Sequence, residues 1–185
     1  MRRLMFMALL AVGLGIVPAG ASTFLALDQG ELVQGSAAVI QGKVIQINSF
    51  WDPTGSVVMT EALVEVHDKI VGNVPSVVAV QTFGGMVGDF YVEAHGFPKF
   101  KVNEKVILFL EPEKDGAMRV AGYQQGHFRI RQDKAGREIA VPTLDLGAHL
   151  LTKDGRPGPR QQAMPVDSLK DQIRTTAARA GLLTQ

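Results

Sequence analysis

The chain has 185 residues, no cysteine, and nearly balanced charge, with 19 basic and 18 acidic side chains. Without cysteine it forms no disulfide, thiolate metal site or covalent haem link, so its stability must come from apolar burial and strand pairing. The near-neutral charge argues against a nucleic-acid partner, because binding to a phosphate backbone depends on clustered Lys and Arg.

Residues 1–21 have the three parts of a secretory signal peptide. Two arginines follow Met1, residues 4–17 are an apolar run, and small residues precede the expected cleavage between Ala21 and Ser22. The run is shorter than the roughly 20 residues that a membrane-spanning helix needs. We therefore expect a periplasmic or secreted protein with no stable membrane insertion after cleavage.

Short strands dominate the middle of the chain. Period-two alternation or continuous apolar runs predict strands at 38–47, 57–66, 77–83, 90–94, 105–110, 118–123, 127–131 and 138–141. Pro53 and Gly55 form the turn of the first hairpin. Small residues on the strands, such as Gly42 and Ala62, favour the tight curvature of a small barrel.

The last part of the chain differs in composition. Residues 153–159 are polar and rich in turn formers, and after Pro165 either Asp167 or Ser168 is expected to cap a helix that reaches Ala180. The predicted organisation is a signal peptide (1–21), a β-barrel domain (22–145), a linker or surface loop (146–165), and a C-terminal helix and tail (166–185). The predicted fold class is mostly β, a small OB-like (Greek-key) β-barrel with a C-terminal α-helix.

Four segments carry a resemblance to a known type of protein. They are 36–44, 64–72, 82–85 and 100–110. Over residues 32–131 the chain resembles exported bacterial OB-like β-barrel proteins of unknown function, which are similar to the netrin and tissue-metalloprotease-inhibitor type of barrel. Asn103 stands where the pattern usually has Gly. The resemblance implies a barrel and a binding role; the metazoan inhibitors also use an N-terminal Cys, which this chain lacks.

Residues with catalytic or metal-binding chemistry are present but not in recognisable patterns. The four histidines, His67, His95, His127 and His149, are far apart in sequence and form no His-Glu-x-x-His motif. No serine lies in a Gly-x-Ser-x-Gly elbow. The Gly-rich stretch 84–88 precedes a strand-like segment rather than a helix, which favours a turn or bulge over a phosphate loop. We therefore predict no catalytic residue, no metal and no cofactor.

Loops at one end of the barrel are the candidate ligand or partner site, because OB-like domains commonly bind ligands there. The candidate residues are Trp51, Gly84, Gly85, Gly88, Tyr91, His95 and Phe97. The alternative is that Phe97 and Phe100 only plug the barrel.

The expected function is therefore that of an exported, non-enzymatic binding module with a protein partner. The first alternative is an inhibitor of a secreted metalloprotease, which the barrel resemblance suggests. The second is a hydrolase whose Ser, His and Asp residues are dispersed in the sequence.

Overall fold

The computed structural model describes residues 22–113, 116–144 and 148–182. The predicted signal peptide, residues 1–21, lies outside the described residues. The described strands are β1 (Ser22–Leu25), β2 (Ala38–Trp51), β3 (Val58–Val71), β4 (Val77–Phe83), β5 (Gly85–Val87), β6 (Phe90–Val92), β7 (Lys105–Pro112), β8 (Met118–Val120), β9 (His127–Gln132), β10 (Glu138–Pro142), β11 (Ala148–Leu151) and β12 (Met164–Pro165). The described helices are α1 (Gln29–Gln34), α2 (Val166–Arg179) and a 3₁₀ turn at Tyr123–Gly126.

Five of these strands close into a barrel. β2 pairs antiparallel with both β3 and β7, and β3 pairs antiparallel with β4. β4 runs parallel to β8, and β8 pairs antiparallel with β7, which completes the ring. This order, with its single parallel pair, is the Greek-key topology of the OB fold. The predicted fold class, an OB-like barrel with a C-terminal helix, is confirmed.

Alternate residues of each strand fill the barrel interior, because successive side chains on a strand point to opposite faces. Ala62 and Val64 of β3 pack there against Val106 and Leu108 of β7, and all four are fully buried. Burying a Val or Leu side chain stabilises the folded state by roughly 1.5–3 kcal/mol. Packing of the interior therefore stabilises the closed barrel.

A second core lies outside the barrel wall, where the helices cover it. Ile107 and Phe109 of β7 point into this core, opposite to their neighbours along the strand. From α2, Leu169, Ile173 and Ala177 pack against it, which is the apolar stripe that the sequence predicts. β7 is thus buried on both faces, and this explains its uninterrupted apolar run.

The helix ends differ from the sequence-based expectation. α2 begins at Val166 directly after Pro165, and no side chain caps this end, so neither Asp167 nor Ser168 acts as the cap. The sequence patterns also do not predict α1, which begins with a capping box between Asp28 and Glu31. Within the described ranges, no helix has the length and apolar composition needed to cross a membrane.

The segment 146–165, expected to be a linker or surface loop, contains two strands. β11 pairs in parallel with β1, and β12 pairs antiparallel with β10 at the edge of the main sheet. Both strands are short, and the partner of β11 is distant in the sequence, so local patterning does not reveal them. Part of this segment therefore extends the sheets.

Gly42 lies where β2 and β3 approach too closely to admit a side chain. A Cβ here would lie 2.4 Å from the carbonyl oxygen of Glu65 and 2.8 Å from Cγ1 of Val64. The register of the two strands shifts between Gln41 and Gly42. Glycine therefore permits the bend that the barrel needs at this point.

We expect Gly42→Ala to lower the free energy of unfolding by about 2 kcal/mol or more, because backbone atoms must move to relieve the contact. Gly55→Ala is the matched control: its φ of 70° disfavours a side chain, but no atom lies within 4 Å of the added Cβ. Gly55→Ala should lower the free energy of unfolding by about 1 kcal/mol. Urea unfolding followed by circular dichroism measures both, and equal losses would contradict this account.

Candidate functional site

Two predicted site residues, Trp51 and Tyr91, lie at the exposed end of the first hairpin and on the small hairpin formed by β5 and β6. The Trp51 ring, 40% exposed, packs edge-on against Phe90 at 5.9 Å between ring centroids. Tyr91 is 64% exposed on β6. The fold therefore brings Trp51 to the β5–β6 hairpin, although the two are about forty residues apart in the sequence.

The three predicted glycines shape the backbone around this hairpin. Gly84 has a φ of 84° and Gly88 a φ of 57°, both in the left-handed region that favours glycine. At Gly85 an added Cβ would lie 2.2 Å from Oγ1 of Thr60 and 2.4 Å from Oγ of Ser49. A strand, β5, follows Gly84. Residues 84–88 therefore turn the chain and let its backbone lie close to the side chains of Thr60 and Ser49. Because a strand follows rather than a helix, these residues present no helix N-terminus to a phosphate group.

Phe97 belongs to a cluster of aromatic rings. Its centroid lies 4.9 Å from that of Phe83, 5.0 Å from that of Tyr123 and 6.2 Å from that of Phe24. Gly96 makes room for this packing, since a Cβ on it would lie 2.0 Å from the Phe24 ring. His95, in the same loop, is exposed.

Hydrogen bonds hold the loop that carries Phe97. The backbone N–H of Gln124 donates to the carbonyl oxygen of Gly96 at 3.1 Å, and its side-chain Nε2 donates to that of Phe97 at 2.8 Å. Oγ1 of Thr82 donates to the carbonyl oxygen of Pro98 at 3.1 Å. The loop is thereby fixed to β4 and to the 3₁₀ turn, so the Phe97 ring is held in position.

A cavity of about 400 Å³ opens beside this cluster. It lies over β3 and β4, between the tip of the β2–β3 hairpin and Glu113, which directly follows β7. In an OB barrel, ligands bind on the face of the second and third barrel strands, which are β3 and β4 here. The connections that follow the first and fourth barrel strands, here β2 and β7, border that face. The lining residues are Phe50, Asp52, Pro53, Val57, Met59, Gln81, Thr82, Phe83, Phe97, Pro98, Glu113, Arg119, Val120 and Tyr123.

A second cavity of about 210 Å³ lies on the other side of Phe83. Its lining includes three predicted residues, Gly84, Gly85 and Tyr91. Phe100 also lines it, packing against the barrel core and against His127 at 5.0 Å between centroids. Phe100 is therefore partly buried between the barrel core and this cavity.

The predicted residues thus lie near the two cavities but do not form a single site. Of them, Phe97 alone lines the larger cavity, while Trp51, Gly88 and His95 line neither cavity. Sequence reasoning missed Phe83 and Tyr123 at the larger cavity. The alternation in β4 could have identified Phe83, which points outward next to the buried Thr82, whereas Tyr123 reaches the cavity only through tertiary packing.

The turn at one rim of the larger cavity is organised by Asp52. Its carboxylate accepts hydrogen bonds from the Thr54 hydroxyl at 2.6 Å and from the backbone N–H groups of Val57 at 2.7 Å and Ser56 at 2.8 Å. These hydrogen bonds lower the pKa of Asp52 to about 2, and the bond from the Thr54 hydroxyl contributes most. The group therefore stays ionised, and its hydrogen bonds hold the tip of the hairpin.

His127 is a fully buried histidine beneath the loop that follows β6. Neither of its ring nitrogens has a hydrogen-bond partner among the described residues. Burial, and secondarily the positive charge of Arg129, lowers the pKa of His127 to about 3. The ring is therefore neutral at ordinary pH and acts as part of the core.

A metal site or a catalytic triad in the described part of the chain would require polar side chains that converge in one place. Within it, no group of three or more His, Asp or Glu side chains could hold a metal ion. His67 contacts Glu65 at 3.3 Å, but both side chains are about half exposed on a strand rather than placed in a cleft. The hydrolase alternative therefore gains no geometric support from this pair.

Comparison of the chain with protein-family models and with curated proteins finds no match. The class of protein is defined by the fold and the cavity. It is a Greek-key barrel of OB topology with an aromatic-lined cavity over β3 and β4.

We expect Asp52→Ala to loosen the rim of the cavity, because the amides of Ser56 and Val57 lose their acceptor. Hydrogen–deuterium exchange of residues 53–57 should become faster while exchange in β7 stays unchanged. Asp133→Ala is the matched control, since Asp133 holds the β9–β10 turn through the amides of Ala135 and Arg137. That control should affect only its own turn; faster exchange at 53–57 in both variants would contradict the assignment.

We expect His127→Leu to reduce the loss of stability at acidic pH. Because the folded-state pKa lies below the unfolded value of 6.5, the unfolded chain binds a proton that the folded chain does not, and stability falls as pH drops from about 6.5 towards 3. Between pH 7 and 4 this linkage amounts to roughly 2–3 kcal/mol. Denaturant unfolding at both pH values measures it. His67→Ala, at an exposed position, is the control, and an equal change in both variants would refute the role of burial.

Proposed function

We propose that this protein is a non-enzymatic binding module that holds an extended segment of a partner protein against the aromatic rings of the larger cavity. The observation that carries the proposal is the aromatic lining of a cavity on the ligand-binding face of the barrel. Phe83 and Tyr123 are 45% and 43% exposed there. Large aromatic side chains that stay exposed beside a cavity are typical of protein-binding sites.

Pre-organisation supports the same proposal. The Asp52 turn fixes one rim of the cavity, and the Gln124 hydrogen bonds fix the loop that carries Phe97. Tyr123 adopts a φ of 60°, which is unfavourable for a non-glycine residue and is maintained by the surrounding packing. A site that is already ordered loses less conformational entropy when it binds.

The charge of the cavity supports a protein rather than a nucleic-acid ligand. Its one lining cation, among the described residues, is Arg119, and two carboxylates already engage it: Glu111 at 2.9 Å and Glu113 at 3.1 Å. A phosphate backbone would need cations that are not already paired. With the predicted signal peptide, we place the binding event in the periplasm or outside the cell.

The metalloprotease-inhibitor alternative receives less support. An inhibitor of the kind suggested by the resemblance would use its amino-terminal residues to reach a metal. Here β1 pairs along its whole length with β11, in register from Ser22 with Ala148 to Leu25 with Leu151. Phe24 of the same strand packs against Tyr123 at 4.8 Å between centroids. These contacts favour a structural role for β1 and leave the cavity as the proposed site.

The proposal is tested by photo-crosslinking from inside and outside the cavity. Benzoylphenylalanine is placed at Phe83, which lines the cavity, or at Phe90, which is 66% exposed on the β5–β6 hairpin and lines neither cavity. In extracts of the compartment that holds the protein, we expect a discrete crosslinked partner from position 83 and none from position 90. Crosslinking from position 90 alone would place the partner on the hairpin and refute the cavity as the site.

Substitution then measures the contribution of the cavity to affinity. Phe83→Ser should weaken binding of the captured partner at least about tenfold, because an aromatic anchor is lost. Phe90→Ser removes an equally large and more exposed ring outside the cavity, and binding should be unchanged. Each ring is partly exposed and packs on one aromatic neighbour, Phe83 on Phe97 and Phe90 on Trp51, so the two variants should lose similar, small amounts of thermal stability and remain folded.

A further inference from the structure

We propose that the group held in the cavity is a basic side chain, lysine or arginine, of an extended partner segment, with its aliphatic stem against the aromatic rings. This inference rests on the proposed binding function and adds the chemical class of the bound group. Three observations carry it: the arrangement of the rings, the excess of carboxylates, and the pairing of the one lining cation.

The rings form walls that meet at right angles. Phe83 and Phe97 are inclined at 78°, with centroids 4.9 Å apart, and Phe97 and Tyr123 at 81°, with centroids 5.0 Å apart. All three residues line the cavity. Phe83 and Tyr123 keep 45% and 43% of their surface exposed beside the cavity, and the negative face of an aromatic ring attracts a cation. The methylene groups of a Lys or Arg stem also pack well on such rings.

The described charged groups at the cavity are mostly acidic. Asp52 and Glu113 line it together with Arg119, and Glu111 lies against the same guanidinium. Arg119 is therefore occupied by two carboxylates, and an anionic guest would have to displace one of them. The negative charge of Asp52 is retained because its lowered pKa keeps the carboxylate ionised.

A further carboxylate extends the acidic rim along β3. Glu61 accepts a hydrogen bond at 3.5 Å from Nε2 of Gln81, which itself lines the cavity. Among the described residues, Asp52 and Glu113 line the cavity, Glu111 and Glu61 contact residues that line it, and Arg119 is the one lining cation. This balance favours a guest that brings positive charge. A purely apolar guest would use the rings but not this field.

The test uses three peptides that differ only at the central residue. They are acetyl-Ala-Leu-Lys-Leu-Ala-amide and its counterparts with norleucine or Glu at the centre, where norleucine keeps the stem of Lys without the ammonium group. Binding to the purified protein is followed by the aromatic NMR signals of Phe83, Phe97 and Tyr123. We expect the lysine peptide to bind about fivefold more tightly than the norleucine peptide, with the Glu peptide weakest. The preference should shrink in 0.5 M NaCl, because salt screens exposed charges.

Two variants locate the charge effect. Glu61→Gln and Glu113→Gln should each lower the affinity for the lysine peptide about two- to fivefold and leave the norleucine peptide unchanged. Glu65→Gln, at an exposed position further along β3 that does not line the cavity, is the control and should change neither affinity.

The outcomes separate this inference from the proposed function. Equal binding of the lysine and norleucine peptides, with the three aromatic signals perturbed, would overturn the charge preference and leave the apolar binding site intact. Perturbation of none of these signals by any peptide at millimolar concentration would overturn both. Tightest binding of the Glu peptide would show that Arg119 exchanges its partners for an anionic guest and would overturn the inference.

Discussion

The structure depends on the burial of β7 on both of its faces. Residues 106–110 are all fully buried: alternate side chains fill the barrel interior, and the others form the outer core beneath the helices. One edge of β7 pairs with β2, whereas the other pairs first with β9, at residues 106–108, and then with β8, at residues 110–112. A single strand therefore closes the barrel, starts the extension of the sheet and joins the two hydrophobic cores. Because so many contacts converge on it, the remaining elements are positioned relative to β7.

Closure of the ring is also what assembles the cavity. The parallel pairing of β4 with β8 brings Gln81 beside Arg119, although these residues lie far apart in the chain. The hairpin tip around Asp52 and the 3₁₀ turn with Tyr123 then meet at the same end of the barrel. The aromatic rings keep part of their surface in water, which costs stability that a core position would recover. This exposed aromatic surface, together with the carboxylates that contact Arg119, is the physical basis for the proposal that the cavity binds a partner.

Several features of the fold were predictable because they depend on local pattern alone. The alternation in β3 identifies its buried face, the stripe on α2 identifies its docking side, and the need for a small residue at Gly42 follows from strand curvature. The candidate site was predicted only in part. Of the predicted residues, Phe97 lines the larger cavity, and it was visible in the sequence as an aromatic residue in a loop. Gly84 and Gly85 line only the smaller cavity, and Tyr123 stands in a stretch of sequence without a motif.

The sequence by itself determined which residues lie on the buried face of the long barrel strands, the absence of thiol chemistry, and a barrel with a helix after it. Tertiary structure alone decided the partners: which strands are neighbours, that β1 meets β11, and that rings from three distant segments share one cavity. The physical reason is that periodicity reports the environment of a residue but not the identity of the group that provides it. Hydrogen bonds such as that between Gln125 and Leu25, separated by 100 positions, form only once the whole chain has closed.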